Sequence, residues 1–370
     1  MNARSRSHLP VTGLALIAIL VAACGGSAAP AATAAPSVAV ATASAAPTPA
    51  PTVAIEKTLR VGWYGGNLAP AFKDVVVDPF QKATGIQVTV ETANDDVRLT
   101  KLRAQPGSLD VAFFTDPIMS DVRAANVPTP LSDTTIPRLK DVYPVLRAKD
   151  AFAWSFGVWG IAYNADKVKP APTSWADMLD PQWKGKVTGP DITYNSSILS
   201  LIALAKLGGG GQDKLDPGFE KMQQLRTNSA FFWPASAQLL QQLQSGAVWM
   251  SAFASGSTFD AADAPGAPPI RFVTPKEGGY PIPFNLVIPA KAQSPNAAAA
   301  FANFVLDPDV QAKWAARIYY APANQKTTIP AAVKDKILSG AAVNQLQIVD
   351  WEAFAKQRAV VVQKWQSTIK

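Results

Sequence analysis

The chain reads LRVGW at residues 59–63, QVTVE at residues 87–91 and DVAFF at residues 110–114, three apolar segments with the residues that favour β-strands. Between them, residues 69–82 and 96–104 repeat their apolar residues at helical spacing. Strands that alternate with helices in this order build a parallel sheet that is covered by helices on both faces. The sequence therefore predicts an α/β fold.

A second alternating unit follows the first along the chain. It contains three predicted strands and four predicted helices, at residues 186–188, 196–207, 219–226, 237–244, 248–253, 284–289 and 296–305. The glycine run at residues 208–211 ends a helix and lacks the Lys-Ser/Thr of a phosphate-binding loop. We predict two α/β units, with the chain crossing between them more than once.

The scarce residue types exclude most enzyme chemistry. The chain of 370 residues is 48% hydrophobic and 16% charged, which is typical of a globular protein, and it has one cysteine and one histidine. These are Cys24 and His8, both close to the N-terminus. An internal disulfide, a Cys/His zinc site and a Ser-His-Asp triad are therefore excluded. We predict no metal site and no cofactor.

The first residues have the pattern of an export signal. Arg4 and Arg6 precede an apolar run at residues 11–21, which is shorter than the ~20 residues of a membrane-spanning helix. Small residues then lead to Cys24, which resembles the lipobox of bacterial lipoproteins. The resemblance implies that a signal peptide, residues 1–23, is removed. Cys24 would then be lipidated and would hold the exported protein on the outer face of the cytoplasmic membrane.

Residues 25–54 contain no charged and no aromatic residue and are rich in Ala, Pro, Ser and Thr. Such a segment buries too little apolar surface to offset its ordering entropy, so we predict that residues 24–56 are the lipidated cysteine and a disordered tether. Removing Arg4 and Arg6 lowers the formal charge from +7 to +5. The remaining cations are scattered, so no nucleic-acid partner is predicted.

Several motifs in the folded region carry a family resemblance. They are DPFQKATGI at residues 78–86, GVWGIAYN at 157–164, PTSWADMLDP at 172–181, PKEGG at 275–279 and YYAPAN at 319–324. In this order they resemble the extracellular solute-binding proteins of ABC importers, most closely the spermidine/putrescine-binding group. The resemblance implies a monomeric receptor that delivers a small solute to a permease and its ATPase subunits, and no enzymatic activity.

The same resemblance implies a two-lobed, type II periplasmic-binding-protein fold in which crossing hinge strands join two sheets. Lobe one would comprise residues 57–156 with 275–308. Lobe two would comprise residues 157–274 with the hinge strands, and the crossing strands would be residues 157–162 and 271–275. The C-terminal helices, residues 309–370, would pack across both lobes.

Candidate ligand-binding residues follow from topology. Ligands of open α/β sheets lie beyond the carboxyl ends of the strands. The residues that follow or flank the predicted strands, with one on the crossing strand, are Trp63, Tyr64, Thr115, Asp116, Trp159, Asp191, Tyr194, Phe253, Ser255, Tyr280 and Phe284. Because most are aromatic or acidic, a polyamine or another small organic cation is the favoured solute.

The chain departs from the polyamine-binding pattern in its acids. That group tends to carry two acids after the second-lobe strand, where this chain has Asp191, and another acid where it has Ser255. Asp116 could supply one carboxylate. A fully charged polyamine would then have too few counter-charges, so an amino-phosphonate, an amino acid or another small polar solute remains open.

Three further alternatives remain. Tyr319 and Tyr320 could serve as phenolate ligands for ferric iron. A lipid-anchored hydrolase would need paired carboxylates, and the adjacent pair Asp95-Asp96 opens a helix, where acids complement the dipole. The partner could also be a sensor protein in place of a permease.

Overall fold

The computed structural model describes residues 55–66 and 68–369, so the predicted signal peptide, Cys24 and the tether up to residue 54 lie outside the described residues. The described part is a mixed α/β structure. Its strands are β1 (Thr58–Trp63), β2 (Gln87–Thr92), β3 (Val111–Phe114), β4 (Phe152–Asn164), β5 (Val187–Pro190), β6 (Ser229–Trp233), β7 (Met250–Ala254), β8 (Ile270–Val273), β9 (Tyr280–Val287) and β10 (Ala321–Pro322).

The helices alternate with the strands over residues 58–124, as the sequence predicts, and occur in consecutive pairs further along the chain. They are α1 (Leu68–Phe72), α2 (Asp78–Thr84), α3 (Asp95–Ala104), α4 (Met119–Ala124), α5 (Ser197–Leu207), α6 (Asp216–Asn228), α7 (Ser236–Gln244), α8 (Ser255–Ala262), α9 (Pro295–Val305), α10 (Pro308–Ile318), α11 (Trp351–Ala355) and α12 (Arg358–Thr368). A π-helical turn, Lys73–Val77, joins α1 to α2 in the helix predicted at residues 69–82. Among these helices, none is long and apolar enough to span a bilayer.

All ten strands of the described region belong to one hydrogen-bonded sheet, with a main path β2-β1-β3-β9-β4-β7-β5-β6. β1 pairs in parallel with β2 and β3, and β5 pairs in parallel with β6 and β7. β9 and β4 join these two groups and run antiparallel to their neighbours. Each predicted βα unit therefore contributes its own parallel group.

Strand β4 connects the two halves of the sheet. Residues 152–159 pair with β9, and residues 159–164 pair with β7 and β8. Its sequence, FAWSFGVWGIAYN, has no charged residue, and all its side chains except the half-buried Tyr163 are buried, as expected for a strand covered on both faces. The predicted crossing segment, residues 157–162, lies inside this longer strand, so the two predicted sheets are continuous through β4.

Two large apolar cores flank β4. The first, which we call the Trp63 core, packs residues of β1 and β9 with α9 and α10. The second, the Trp159 core, packs residues of β5 and β7 with α5, α6, α11 and α12. Helices near the C-terminus therefore contribute to both cores. The sheet also contains β6, which the sequence reading missed because the aromatic run SAFFW follows α6 without a turn signal.

Candidate functional site

A cleft of about 810 Å³ lies between the Trp63 core and the Trp159 core. This volume is within the usual range for small-molecule sites. Segments that are distant in sequence meet there, at the ends of β1, β3 and β5, at the starts of α3, α7 and α8, on β9 and after α10. The lining includes Tyr64, Asp95, Asp96, Thr115, Tyr194, Ser236, Ser257, Asp260, Ile282, Phe284 and Tyr320.

The wall on the side of the Trp63 core is a hydrogen-bonded cluster that we call the first wall: Tyr64, Asp95 and Thr115. The Tyr64 hydroxyl donates to Asp95 Oδ1 over 2.6 Å. The Thr115 backbone N–H and hydroxyl both donate to Asp95 Oδ2, over 3.2 and 2.5 Å. The guanidinium of Arg98 lies behind this wall, donates to Asp95 Oδ1 and lies 4.8 Å from the centroid of the Tyr64 ring.

Burial shifts the pKa values of the two titratable groups in the first wall, Asp95 and Tyr64. Burial raises the pKa of Asp95, and the hydrogen bonds from Thr115 and Tyr64 and the charge of Arg98 oppose that rise. The pKa of the Tyr64 hydroxyl is well above its usual value, first because of burial and then because of the neighbouring Asp95 charge. Tyr64 therefore stays protonated and keeps donating to Asp95. Asp95 and Asp96 lie in the first turn of α3, as the dipole argument predicts, and the Asp95 carboxylate is in addition the centre of this cluster.

The wall on the side of the Trp159 core, the second wall, comprises Tyr194, Ser236 and Asp260. The Tyr194 ring stacks near Trp159 with a centroid distance of 6.1 Å, and its hydroxyl accepts a 3.2 Å hydrogen bond from Ser236. Burial raises the pKa of Tyr194, so its hydroxyl also stays protonated. Asp260 brings a carboxylate from α8 to this wall.

Three aromatic rings form a continuous floor between the walls. The Tyr64 and Phe284 ring centroids are 5.3 Å apart, and those of Phe284 and Tyr320 are 5.1 Å apart. Gly157 and Gly256 admit the Tyr320 ring, because a Cβ on Gly256 would overlap it and one on Gly157 would lie 3.0 Å from its Cε1. Burial raises the pKa of Tyr320 to about 12. The floor therefore offers neutral π-faces.

The charges that line the cleft all have one sign. Among the described residues of its lining, Asp95, Asp96 and Asp260 are acidic and none is Lys or Arg. Asp96 is exposed, whereas Asp95 is buried against its cation Arg98. A cleft that combines carboxylates with aromatic rings attracts cations.

Of the eleven predicted ligand residues, the structure brings Tyr64, Thr115, Tyr194 and Phe284 to the cleft. Four of the others have at most 2% of their surface exposed and pack in the cores: Trp63, Trp159, Phe253 and Tyr280. Trp63 stacks on Phe72, and the Trp159 indole donates to Ser200. Trp63 and Phe253 lie at or next to the carboxyl ends of β1 and β7, whereas Trp159 lies within β4 and Tyr280 begins β9. The side chains of all four belong to the two apolar cores.

The polar members of the predicted set that lie outside the cleft lining have structural partners. The Ser255 hydroxyl accepts from the Val158 N–H and so ties α8 to β4. Asp191 Oδ1 accepts from the Thr193 backbone N–H and hydroxyl, over 3.0 and 2.8 Å, and so shapes the loop that carries Tyr194. Asp116 lies on the opposite side of β9 from the cleft.

Strand β9 separates the cleft from a smaller cavity behind it. Ile282 and Phe284 face the cleft, whereas Pro281, Pro283 and Asn285 line a cavity of about 240 Å³. This is the two-residue alternation of a strand. Asp116 lines the rear cavity, accepts a 2.8 Å hydrogen bond from Asn285 Nδ2 and also accepts one from the Trp351 indole. Burial raises its pKa to about 6, and both hydrogen bonds oppose the rise.

The sequence reading missed several residues of the cleft. The sequence predicts only a helix-dipole role for Asp95 and Asp96 and offers Tyr320 only as an iron ligand. It predicts no helix at α8, which carries Asp260. The acidic pair was the available signal, because it follows β2 and opens a helix at the sheet edge where ligands bind. Tyr319 lies apart from the cleft lining and pairs its hydroxyl with Asp263. Within residues 55–66 and 68–369, no three His, Cys, Asp or Glu side chains form a group that could hold a metal ion.

The chain matches a family of known proteins. Residues 76–339 match the family of bacterial extracellular solute-binding proteins, and the chain belongs to that family. A spermidine/putrescine-binding periplasmic protein of Escherichia coli is 27% identical over 283 residues, which cover 71% of this chain and 78% of that protein. The protein is therefore a solute-binding protein and not an enzyme.

Solved structures show the same fold. An extracellular solute-binding protein of Bordetella parapertussis superposes with a TM-score of 0.76 at 21% identity, covering 85% of this chain and 99% of that one. A spermidine/putrescine ABC transporter substrate-binding protein of Streptococcus pneumoniae gives 0.69 at 18% identity, covering 85% and 100%. The predicted two-lobed, type II binding-protein fold is confirmed.

Proposed function

We propose that this protein is the receptor of an ABC importer and captures a small organic cation, in the first place a polyamine such as spermidine or putrescine. The observation that carries the proposal is the cleft lining, in which carboxylates and aromatic rings occur together and the described lining residues include no Lys or Arg. The relative from Escherichia coli, named for binding spermidine and putrescine, supports the same solute class.

The cleft offers two kinds of contact to an alkylammonium solute. The floor rings of Tyr64, Phe284 and Tyr320 present π-faces, each of which contributes roughly 0.5–2 kcal/mol to a cation above it. Asp96 beside the first wall and Asp260 in the second wall provide a carboxylate on either side. A diamine would place one ammonium near each acid and its methylene chain over the rings.

We further propose that binding closes two lobes about the strands beside the cleft. Lobe one would comprise residues 57–156 with 275–308, lobe two residues 157–274, and residues 309–370 would pack across both. The continuity of the sheet through β4 supports a hinge there, because the two apolar cores share this strand and lie on either side of the cleft.

The setting of the receptor is also part of the proposal. Residues 1–23 would be cleaved, Cys24 would carry the lipid anchor, and residues 25–54 would tether a monomer beside its permease and ATPase. Glu56 is bound to the folded region, since its carboxylate accepts from the Ala297 N–H in the first turn of α9. We expect Cys24→Ala to move the protein from the membrane fraction to the soluble fraction, and unchanged membrane retention would contradict the anchor.

Titration calorimetry with spermidine and putrescine tests the solute class, and 1,4-butanediol is the uncharged control. We expect the amines to bind and the diol not to bind. Asp96→Asn and Asp260→Asn should each weaken amine binding by about 1–3 kcal/mol, the usual loss when one partner of a charge-assisted contact is neutralised. Asp191→Asn is the matched control, because an asparagine keeps the Oδ1 acceptor of the loop. Equal binding of the diol, or unchanged amine binding in both variants, would refute the cation proposal.

A further inference from the structure

Arg98 joins the ends of three parallel strands behind the cleft. It lies on α3 with 2% of its surface exposed, and its guanidinium donates to the carbonyl oxygens of Trp63, Ala93 and Phe113, at or just after the ends of β1, β2 and β3. The sequence leaves room for it at Gly62, where a Cβ would lie 2.8 Å from both Cδ and Nε of Arg98. An arginine in this position fixes the geometry of the strand ends from which the first wall projects.

The carboxylate of Asp95 has no acceptor site left for a solute. Oδ1 accepts from the Tyr64 hydroxyl over 2.6 Å and from Arg98 Nη1 over 3.2 Å. Oδ2 accepts two hydrogen bonds from Thr115. An ionised carboxylate offers about four lone-pair sites, and all are used. A solute ammonium could reach Asp95 only by displacing one of these donors.

We infer that Arg98 is a positioning residue for the solute. It holds the first wall in place and neutralises Asp95, so that the charge of the solute is balanced by other acids of the cleft lining. This inference rests on the proposed function and deepens it, because it separates the acid that builds the cleft from the acids that select a cation. Arg98 itself is not among the residues that line the cleft.

The opposite assignment makes a different prediction. If Asp95 bound the ammonium directly, Arg98 would compete with the solute, and removing Arg98 would strengthen amine binding. If Arg98 positions the wall, removing it leaves a buried carboxylate without its cation, and the wall rearranges or takes up a proton. Removing the Asp95 charge as well should then restore part of the amine binding that is lost without Arg98.

The experiment is a double-mutant cycle between positions 95 and 98, measured by spermidine calorimetry on the full chain. We expect Arg98→Met to weaken binding about tenfold or more, and Arg98→Met combined with Asp95→Asn to recover most of that loss, because no uncompensated charge remains. Arg98→Lys should bind better than Arg98→Met. Stronger binding by Arg98→Met, or a double variant that binds more weakly than Arg98→Met, would overturn the inference.

A second variant keeps the test valid if Arg98→Met does not fold. Gly62→Ala crowds the Arg98 side chain and, equally closely, Leu109 Cδ1 without changing any charge, and Gly62 does not line the cleft. We expect it to weaken spermidine binding several-fold, whereas the control Gly211→Ala, where a Cβ would meet open space, should bind like the parent. Equal binding by both variants would contradict a positioning role.

The proposed function and this inference fail in distinguishable ways. If the parent binds neither spermidine nor putrescine, the proposed solute class fails. The same double-mutant cycle is then measured by urea unfolding of the protein without solute. There, Arg98→Met must lose more stability than the double variant if Arg98 neutralises Asp95, and strictly additive losses would exclude that pairing.

Discussion

Asp95 and Asp116 are two desolvated carboxyls near the carboxyl end of β3, on opposite sides of the sheet region that carries β9. Asp95 faces the cleft and touches the cation Arg98. Asp116 faces the rear cavity and accepts hydrogen bonds from the neutral side chains of Asn285 and Trp351. Burial raises the pKa of both, but only Asp95 has a cation in direct contact among the described residues. The difference shows that the partners of a buried aspartate decide its role. Asp95 is held by a cation and by hydrogen bonds in the first wall, whereas Asp116 has neutral donors and a pKa of about 6.

The largest effect should come from breaking the ion pair on the cleft side. Asp95→Leu leaves the buried guanidinium of Arg98 without its counter-ion, and we expect the free energy of unfolding to fall by about 3–5 kcal/mol. Urea unfolding at pH 7 measures this loss. A loss below about 1 kcal/mol, the usual value of an exposed pair, would mean that water solvates this pair.

The rear carboxyl should control part of the dependence of stability on pH. Because the pKa of Asp116 is about 6 in the folded state, above its value in the unfolded chain, the folded state binds this proton more tightly. Its contribution to stability is therefore present at low pH and is lost as the pH rises from about 4 through 6. Asp116→Asn removes that loss, so the stability of the variant relative to the parent should rise by roughly 2–3 kcal/mol between pH 4 and pH 7.5. A constant difference between the two proteins across this range would contradict the assignment.

The smallest effect should come from removing one neutral donor at the rear cavity. Trp351→Phe keeps most of the apolar contact but deletes the indole hydrogen bond, which lowers the pKa of Asp116 in the parent. We expect that pKa to rise by roughly 0.4–1 pH unit, the equivalent of one neutral hydrogen bond. NMR titration of the Asp116 carboxyl carbon measures it directly, with Trp183→Phe as the control. An unchanged or lower pKa would show that the indole does not stabilise the carboxylate.

The sequence by itself determined the class of fold and much of its chemistry. The alternation of strand and helix patterns from residue 59 onward predicts the parallel groups of the sheet, because local periodicity is set by residues that are close in the chain. The positions of Cys24 and His8, the only residues of their types, excluded most enzyme classes. The strand-end rule also placed Tyr64, Thr115, Tyr194 and Phe284 at the cleft, because each follows or lies on a strand whose direction the βα order fixes.

Only the tertiary structure decided which side chains line the cleft and which partners each acid has. Trp63 and Tyr64 are neighbours in the sequence, yet the pleat sends the first into the core and the second to the cleft. The sequence predicts only that Asp95 opens a helix. The fold brings the hydroxyls of Tyr64 and Thr115 against its carboxylate, from 31 and 20 residues away. Tyr320 reaches the floor because glycines on β4 and α8 admit its ring. Contacts between residues distant in the chain depend on packing, which no local pattern encodes.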